Sequence, residues 1–76
     1  MVHAFIMVKT AAGKSEDLLD EIRGLGQVDE AHIVAGDYDL ITEVDVDEVY
    51  EVLHTASSGI QRLDGVADTK TYICLA

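Results

Sequence analysis

The sequence predicts an α+β fold in which a four-stranded antiparallel sheet carries two helices on one face. Three observations predict it. Period-two alternation of apolar side chains marks four segments, helical periodicity marks two, and their order along the chain is β-α-β-β-α-β. Right-handed crossovers then bring both helices to the same side of the sheet. Seventy-six residues hold one such unit, so a single domain is expected over residues 1–76.

The first strand spans Val2 to Lys9, with Val2, Ala4, Ile6 and Val8 on one face and His3, Phe5, Met7 and Lys9 on the other. A short loop, Thr10 to Gly13, leads to the first helix. Ser15 is read as its N-cap, and Glu16, Asp17 and Arg23 are placed as the helix dipole prefers. Leu18, Leu19, Ile22 and Leu25 form its apolar stripe, and Gly24 and Gly26 stop it. The second strand runs from Val28 to Ala35 and the third from Tyr38 to Val44. Between them Gly36-Asp37 matches a two-residue hairpin turn with glycine first.

Asp45 opens the second helix, with Glu48 completing an Asp variant of the capping box and Val44 stapled to Val49. Val49, Val52, Leu53, Ala56 and Ile60 form its expected buried stripe, and Ser57-Ser58-Gly59 weakens its end. Leu63-Asp64-Gly65 is a turn, and Val66 to Leu75 is the last strand. This is the ferredoxin-like arrangement, of the dimeric α+β barrel type. The face of the sheet away from the helices carries Phe5, Met7, Ile41 and one parity of the last strand, either Thr69, Thr71 and Ile73 or Lys70, Tyr72 and Cys74. An apolar sheet face is an association site, and a second copy of the chain is expected to cover it.

Composition removes several function classes. Fifteen acids against five bases give a net charge of −10, and no Lys or Arg lies between Gly24 and Gln61. Phosphate backbones and anionic membranes are therefore disfavoured partners. The acidity reads either as a solvated anionic surface or as adaptation to molar salt, where self-repulsion is screened. No apolar run is long enough to span a bilayer, and the N-terminus has no secretion signal, so a cytoplasmic location is expected. The single cysteine, Cys74, excludes an internal disulfide framework.

Few residues suggest chemistry. Asp45-Val46-Asp47-Glu48 lacks the calcium-loop pattern, and His3, His32 and His54 lack zinc-helix spacing. Ser57 and Ser58 have no nucleophile elbow around them. The best local candidate is Ala35-Gly36-Asp37-Tyr38-Asp39. A glycine there admits close approach to the backbone, and two carboxylates offer acceptors to an ammonium group. A plain tight turn with acidic decoration explains the same residues.

The segment from Val28 to Ile41, with its Gly36-x-Tyr38-Asp39 hairpin, resembles the central hairpin of the Lrp/AsnC family's effector (RAM) domain. Ile60-x-x-Leu63-x-Gly65-Val66 looks like that family's entry to the last strand, and Thr69-x-Thr71 resembles the threonine-bearing strand beyond it. The match covers nearly the whole chain, and the resemblance implies a stand-alone form, expected to lack the family's helix-turn-helix. The resemblance implies amino-acid sensing in transcriptional regulation, by sheet-paired dimers that associate further into rings. Co-assembly with full-length Lrp/AsnC regulators is implied as well. Carried over by position, Gly36 would offer a backbone amide and Asp39 would face the effector's ammonium group. Asp37 and Tyr38 would shape the loop, and Thr69 and Thr71 would bond the carboxylate or line the pocket. Two other readings share the strand order: a small dimeric α+β barrel enzyme using His32 or His54, and an oligomerisation module without a ligand. The hairpin favours sensing, so no enzymatic activity, cofactor or metal is expected.

Overall fold

The computed structural model describes residues 1–76. The elements are β1 (Val2–Thr10), α1 (Ser15–Arg23), β2 (Val28–Ile33), β3 (Leu40–Val46), α2 (Val49–His54) continued by a π-helical segment (Thr55–Ile60), and β4 (Val66–Ile73). The sheet order is β2-β3-β1-β4, all neighbours antiparallel, as the ferredoxin-like reading requires.

Register decides which side chains share a face. Ala4, Ile6 and Val8 lie opposite Val44, Thr42 and Leu40 on β3, and opposite Ile73, Thr71 and Thr69 on β4. Ala4, Ile6, Val8, Leu40, Thr42 and Val44 are fully buried under the helices, so this is the core side. Leu18 and Ile22 of α1, and Val52, Ala56 and Ile60 beyond it, close the core from above. Burying each large aliphatic side chain contributes about 1.5–3 kcal/mol. The opposite face carries His3, Phe5, Met7, Glu43, Ile41, His32, Lys70 and Tyr72, which settles the parity of β4 in favour of Lys70 and Tyr72.

Thr42 is the one polar break in this core. Its hydroxyl is buried between Ile6 and Ala31 with no hydrogen-bond partner. An unsatisfied buried hydroxyl costs about 1–3 kcal/mol, so Thr42→Val is expected to raise stability by about 1 kcal/mol. A higher urea midpoint with an unchanged slope would show it; a lower midpoint would mean that the hydroxyl has a partner.

Besides Thr10, which ends β1 instead of opening the loop, and the earlier end of β2 at Ile33, local structure departs from the sequence reading at five places. The hairpin turn is wider than two residues: Val34 N–H donates to the Asp39 carbonyl (2.9 Å), leaving Ala35–Tyr38 as the turn, and Gly36 does not take the positive φ that a glycine-first two-residue turn needs. Ser15 is the first residue of α1, not its cap. Lys14 holds the cap position, and the Ser15 hydroxyl bonds Thr10 Oγ1 (2.9 Å) instead. The capping box of α2 lies three residues later than expected. β3 continues through Val46, Glu48 is the N-cap, and Glu51 Oε2 accepts from the N–H groups of Asp47 (3.0 Å) and Glu48 (2.8 Å).

The fourth departure is the stripe of the second helix. After His54 the helix widens, and Gln61 N–H donates to the Ala56 carbonyl (2.8 Å). The wider turn keeps Val52, Ala56 and Ile60 on the core side, while Val49 and Leu53 turn to solvent beside Tyr50. Lastly, β4 stops at Ile73 rather than Leu75.

Candidate functional site

The hairpin and the start of β4 lie at the same end of the sheet, on either side of the end of β1. Val8 pairs with Leu40 on one side and with Thr69 on the other. Asp39 N–H donates to the Val8 carbonyl (2.9 Å), which anchors the hairpin to β1. Lys9 Nζ donates to the Asp37 carbonyl (2.9 Å) and closes the outer side of the turn.

The Asp39 carboxylate is the most organised polar group of this end. Its Oδ2 accepts from Thr10 N–H (2.8 Å) and from Thr10 Oγ1 (3.3 Å). Its Oδ1 takes no hydrogen bond from the protein, so one oxygen is fixed and the other is available to a ligand donor. The Thr10 amide holds the carboxyl below the ordinary aspartate range; partial desolvation opposes this, and the Thr10 hydroxyl and the Lys9 charge add to it. The group is therefore ionised throughout the physiological range. Such a carboxylate, with a fixed geometry and one open oxygen, suits an ammonium ligand.

Gly36 sits at the turn with a negative φ, and a Cβ built there meets nothing within 4 Å. The fold itself therefore has no steric need for glycine at this position. Tyr38 is half-buried and Asp37 is exposed.

The two threonines lie apart from the hairpin. Thr69 Oγ1 accepts from Gln61 Nε2 (2.7 Å), and Thr69 N–H donates to Asp68 Oδ1 (2.9 Å). Thr69 also lines an open groove of about 280 Å³ with Gln61, Val66, Ala67 and Asp68. Thr71 lies one pleat repeat further along, beside Ile6 on the helix side. Thr69 thus shares the sheet end with Asp39, whereas Thr71 sits deeper, and no single cavity of one chain contains both the hairpin and the threonines. Thr10 and Gln61 are polar groups of this end to which the sequence reading assigns no role. Thr10 reads as plain loop in the sequence, and nothing in its spacing marks it as a partner of Asp39.

The histidines offered to the enzyme reading lie elsewhere. His32 is exposed on the open sheet face, and His54 lines an outer groove of about 230 Å³ with Gln27, Tyr50 and Glu51. The space between sheet and helices is filled by aliphatic side chains.

Comparison with known proteins agrees with this architecture. TTHA0845 from Thermus thermophilus superposes with a TM-score of 0.96 at 32% identity, covering 100% of this chain and 95% of that one. The Leucine-responsive regulatory protein of Haemophilus influenzae is 32% identical over 60 residues, 79% of this chain and 36% of that protein. The chain thus corresponds to little more than a third of that curated relative's length. The transcriptional regulator NMB0573 of Neisseria meningitidis, in its L-Met complex, shares the fold at 21% identity (TM-score 0.86, 99% of this chain and 50% of that one). The profile of the Lrp/AsnC ligand binding domain matches residues 3–76. With that match spanning nearly every residue, the chain belongs to the Lrp/AsnC ligand binding domain family.

Proposed function

We propose that this domain binds a free amino acid at the hairpin end of its sheet and conveys that event through self-association, acting in transcriptional regulation in the cytoplasm. The observation that carries the reading is the Asp39 carboxylate, ionised and pinned through Oδ2 with Oδ1 left open, next to a turn whose glycine the fold does not require. A zwitterion needs an anion for its ammonium group and donors for its carboxylate. Asp39 supplies the first. The Gly36 amide, with Asp37 and Tyr38 shaping the turn, and the hydroxyls of Thr69 and Thr71 supply the second. The L-Met complex of a protein with this fold supports the ligand class.

Because the hairpin and the threonines do not enclose one cavity within a chain, the remaining walls come from another copy. A homodimer forms when a second chain covers Phe5, Met7, Ile41 and Tyr72 on the open face, and dimers pair further around the hairpin ends. A ligand held at such a seam favours one assembly over another, which is how binding becomes a signal. Mixed assembly with longer regulators of the family would carry that signal to DNA. The domain itself acts without catalysis.

Calorimetric titration of the purified chain with each of the twenty amino acids, in dilute buffer and in molar KCl, tests this reading. Saturable heat from one amino acid or a few is expected. No heat from any of them in either medium would overturn it.

A further inference from the structure

We infer that Gln61 is a further binding residue: with Thr69 it forms a two-donor site for the amino acid's carboxylate, in the groove between the end of the π-helical segment and the start of β4. The inference rests on the amino-acid reading above and names the group that completes the donor side of that site.

The helix that precedes Gln61 brings it to this groove. Its N–H donates to the Ala56 carbonyl (2.8 Å), five residues back, so the last turn is one residue wider than an α-helical turn. Ile60 is fully buried in the core, and Gln61, the next residue, leaves the helix exposed. There its Nε2 donates to Thr69 Oγ1 (2.7 Å), eight positions along the chain. π-helical turns are rare and are found frequently at functional sites. The core takes Ile60 from this turn and makes no use of Gln61.

The hydrogen-bond inventory fixes what the pair offers. A hydroxyl carries one proton and two lone pairs, and a primary amide carries two N–H protons. Thr69 Oγ1 accepts from Gln61, so its own proton is left for an acceptor in the groove. Gln61 Nε2 spends one proton on Thr69 and keeps the other. Two free protons on neighbouring atoms suit the two oxygens of a carboxylate. The main chain of Thr69 is held at the same time. Its N–H donates to Asp68 Oδ1 (2.9 Å), and its partner on β1 is Val8, whose carbonyl also accepts from Asp39 N–H. Val66 and Ala67 supply the apolar lining of the groove, and Asp68 brings a negative charge to it. That charge repels a carboxylate unless both donors receive it. One carboxylate is therefore held, and a second, on an acidic side chain, finds no donor left. The site thus selects amino acids whose side chains are not acidic.

Calorimetry of the full chain with the twenty amino acids, each as the free acid and as the α-carboxamide, tests the proposal. The parent should bind the free acid more tightly than its carboxamide. Gln61→Met keeps the length of the side chain and removes its donors. It should bind the free acid about tenfold or more weakly and lose the preference over the carboxamide, with a melting curve nearly unchanged. Gln61→Glu, which offers acceptors and a further negative charge, should bind the free acid more weakly still. Thr69→Val removes the other donor, and the loss in the double variant Gln61→Met/Thr69→Val should fall short of the product of the two single losses, because the donors act as one unit. Parental affinity in a folded Gln61→Met or Gln61→Glu chain would overturn the role of Gln61 and leave the amino-acid reading standing. Equal losses for free acid and carboxamide in Gln61→Met would overturn the carboxylate assignment, since Gln61 would then only shape the groove. No heat from any amino acid with the parent would overturn the amino-acid reading and this inference with it.

Discussion

Replacing Gly36 with leucine is expected to leave the melting curve nearly unchanged while lowering amino-acid affinity about tenfold or more, a loss of at least about 1.4 kcal/mol of binding free energy. The reasoning separates fold from function at one atom. A Cβ at position 36 meets nothing within 4 Å, and the backbone there is not in the left-handed region. An exposed position of this kind changes stability by about 0.5 kcal/mol or less. A leucine side chain nevertheless fills the space through which a ligand reaches the turn's amides. Gly65 supplies the contrast. It has φ +98°, and a Cβ there would stand 3.2 Å from Lys14 Cγ and 3.4 Å from Leu18 Cδ1. Its carbonyl also accepts from Ala11 N–H (2.8 Å), which ties the β4 entry to the loop after β1. Gly65→Leu should therefore lower stability by about 1–3 kcal/mol through backbone strain and crowding. Thermal melts and calorimetry on the two variants make the comparison. A Gly36→Leu protein that binds its amino acid as the parent does would remove the hairpin from the site.

The contrast also shows what could be read from the chain and what could not. Period-two alternation in Val2 to Lys9 and in Leu40 to Val44 placed every buried residue of β1 and β3 on its correct face, because a strand has only two faces and one of them is covered. The helix order and the sheet topology followed from the same patterns and from crossover handedness. Turn and cap positions were harder. Gly36-Asp37 and Asp45–Glu48 each fit a common local motif, but the third strand starts only at Leu40 and runs on to Val46, which shifts both motifs. Ladder hydrogen bonds and burial of the adjoining side chains outweigh a motif that contributes about 1 kcal/mol. The exposure of Val49 and Leu53 was not legible, since an α-helical wheel assumes a constant pitch and the π-helical segment after His54 breaks it. The candidate site was legible as a set of residue types. The tie between Asp39 and Thr10 was not, because it joins residues 29 positions apart whose proximity exists only in the folded sheet.

That tie makes Asp39 both a structural and a binding residue, and substitutions are expected to resolve the two roles. Asp39→Ala removes the acceptor for the Thr10 amide and hydroxyl, so it should lower the melting temperature as well as abolish effector binding; the substitution cannot leave the fold untouched. Asp39→Asn keeps an oxygen that can take the Thr10 bonds but discards the charge. It should melt between the parent and Asp39→Ala while binding no better than the latter, because the ammonium group loses its counter-charge. Acid separates the roles further. The carboxyl is held below the ordinary aspartate range in the folded state, chiefly by the Thr10 amide, so the folded protein holds this proton less tightly than the unfolded chain does. Its stabilisation is therefore complete above the unfolded value of about 3.9 and disappears as pH falls through the lower folded value. In melts taken from pH 7 down to pH 2, the gap between the parent and Asp39→Asn should stay constant until about pH 4 and then close. A gap that persists at pH 2 would mean that the difference comes from packing and not from the charge. An Asp39→Asn protein with parental affinity would mean that the effector's ammonium group is held elsewhere.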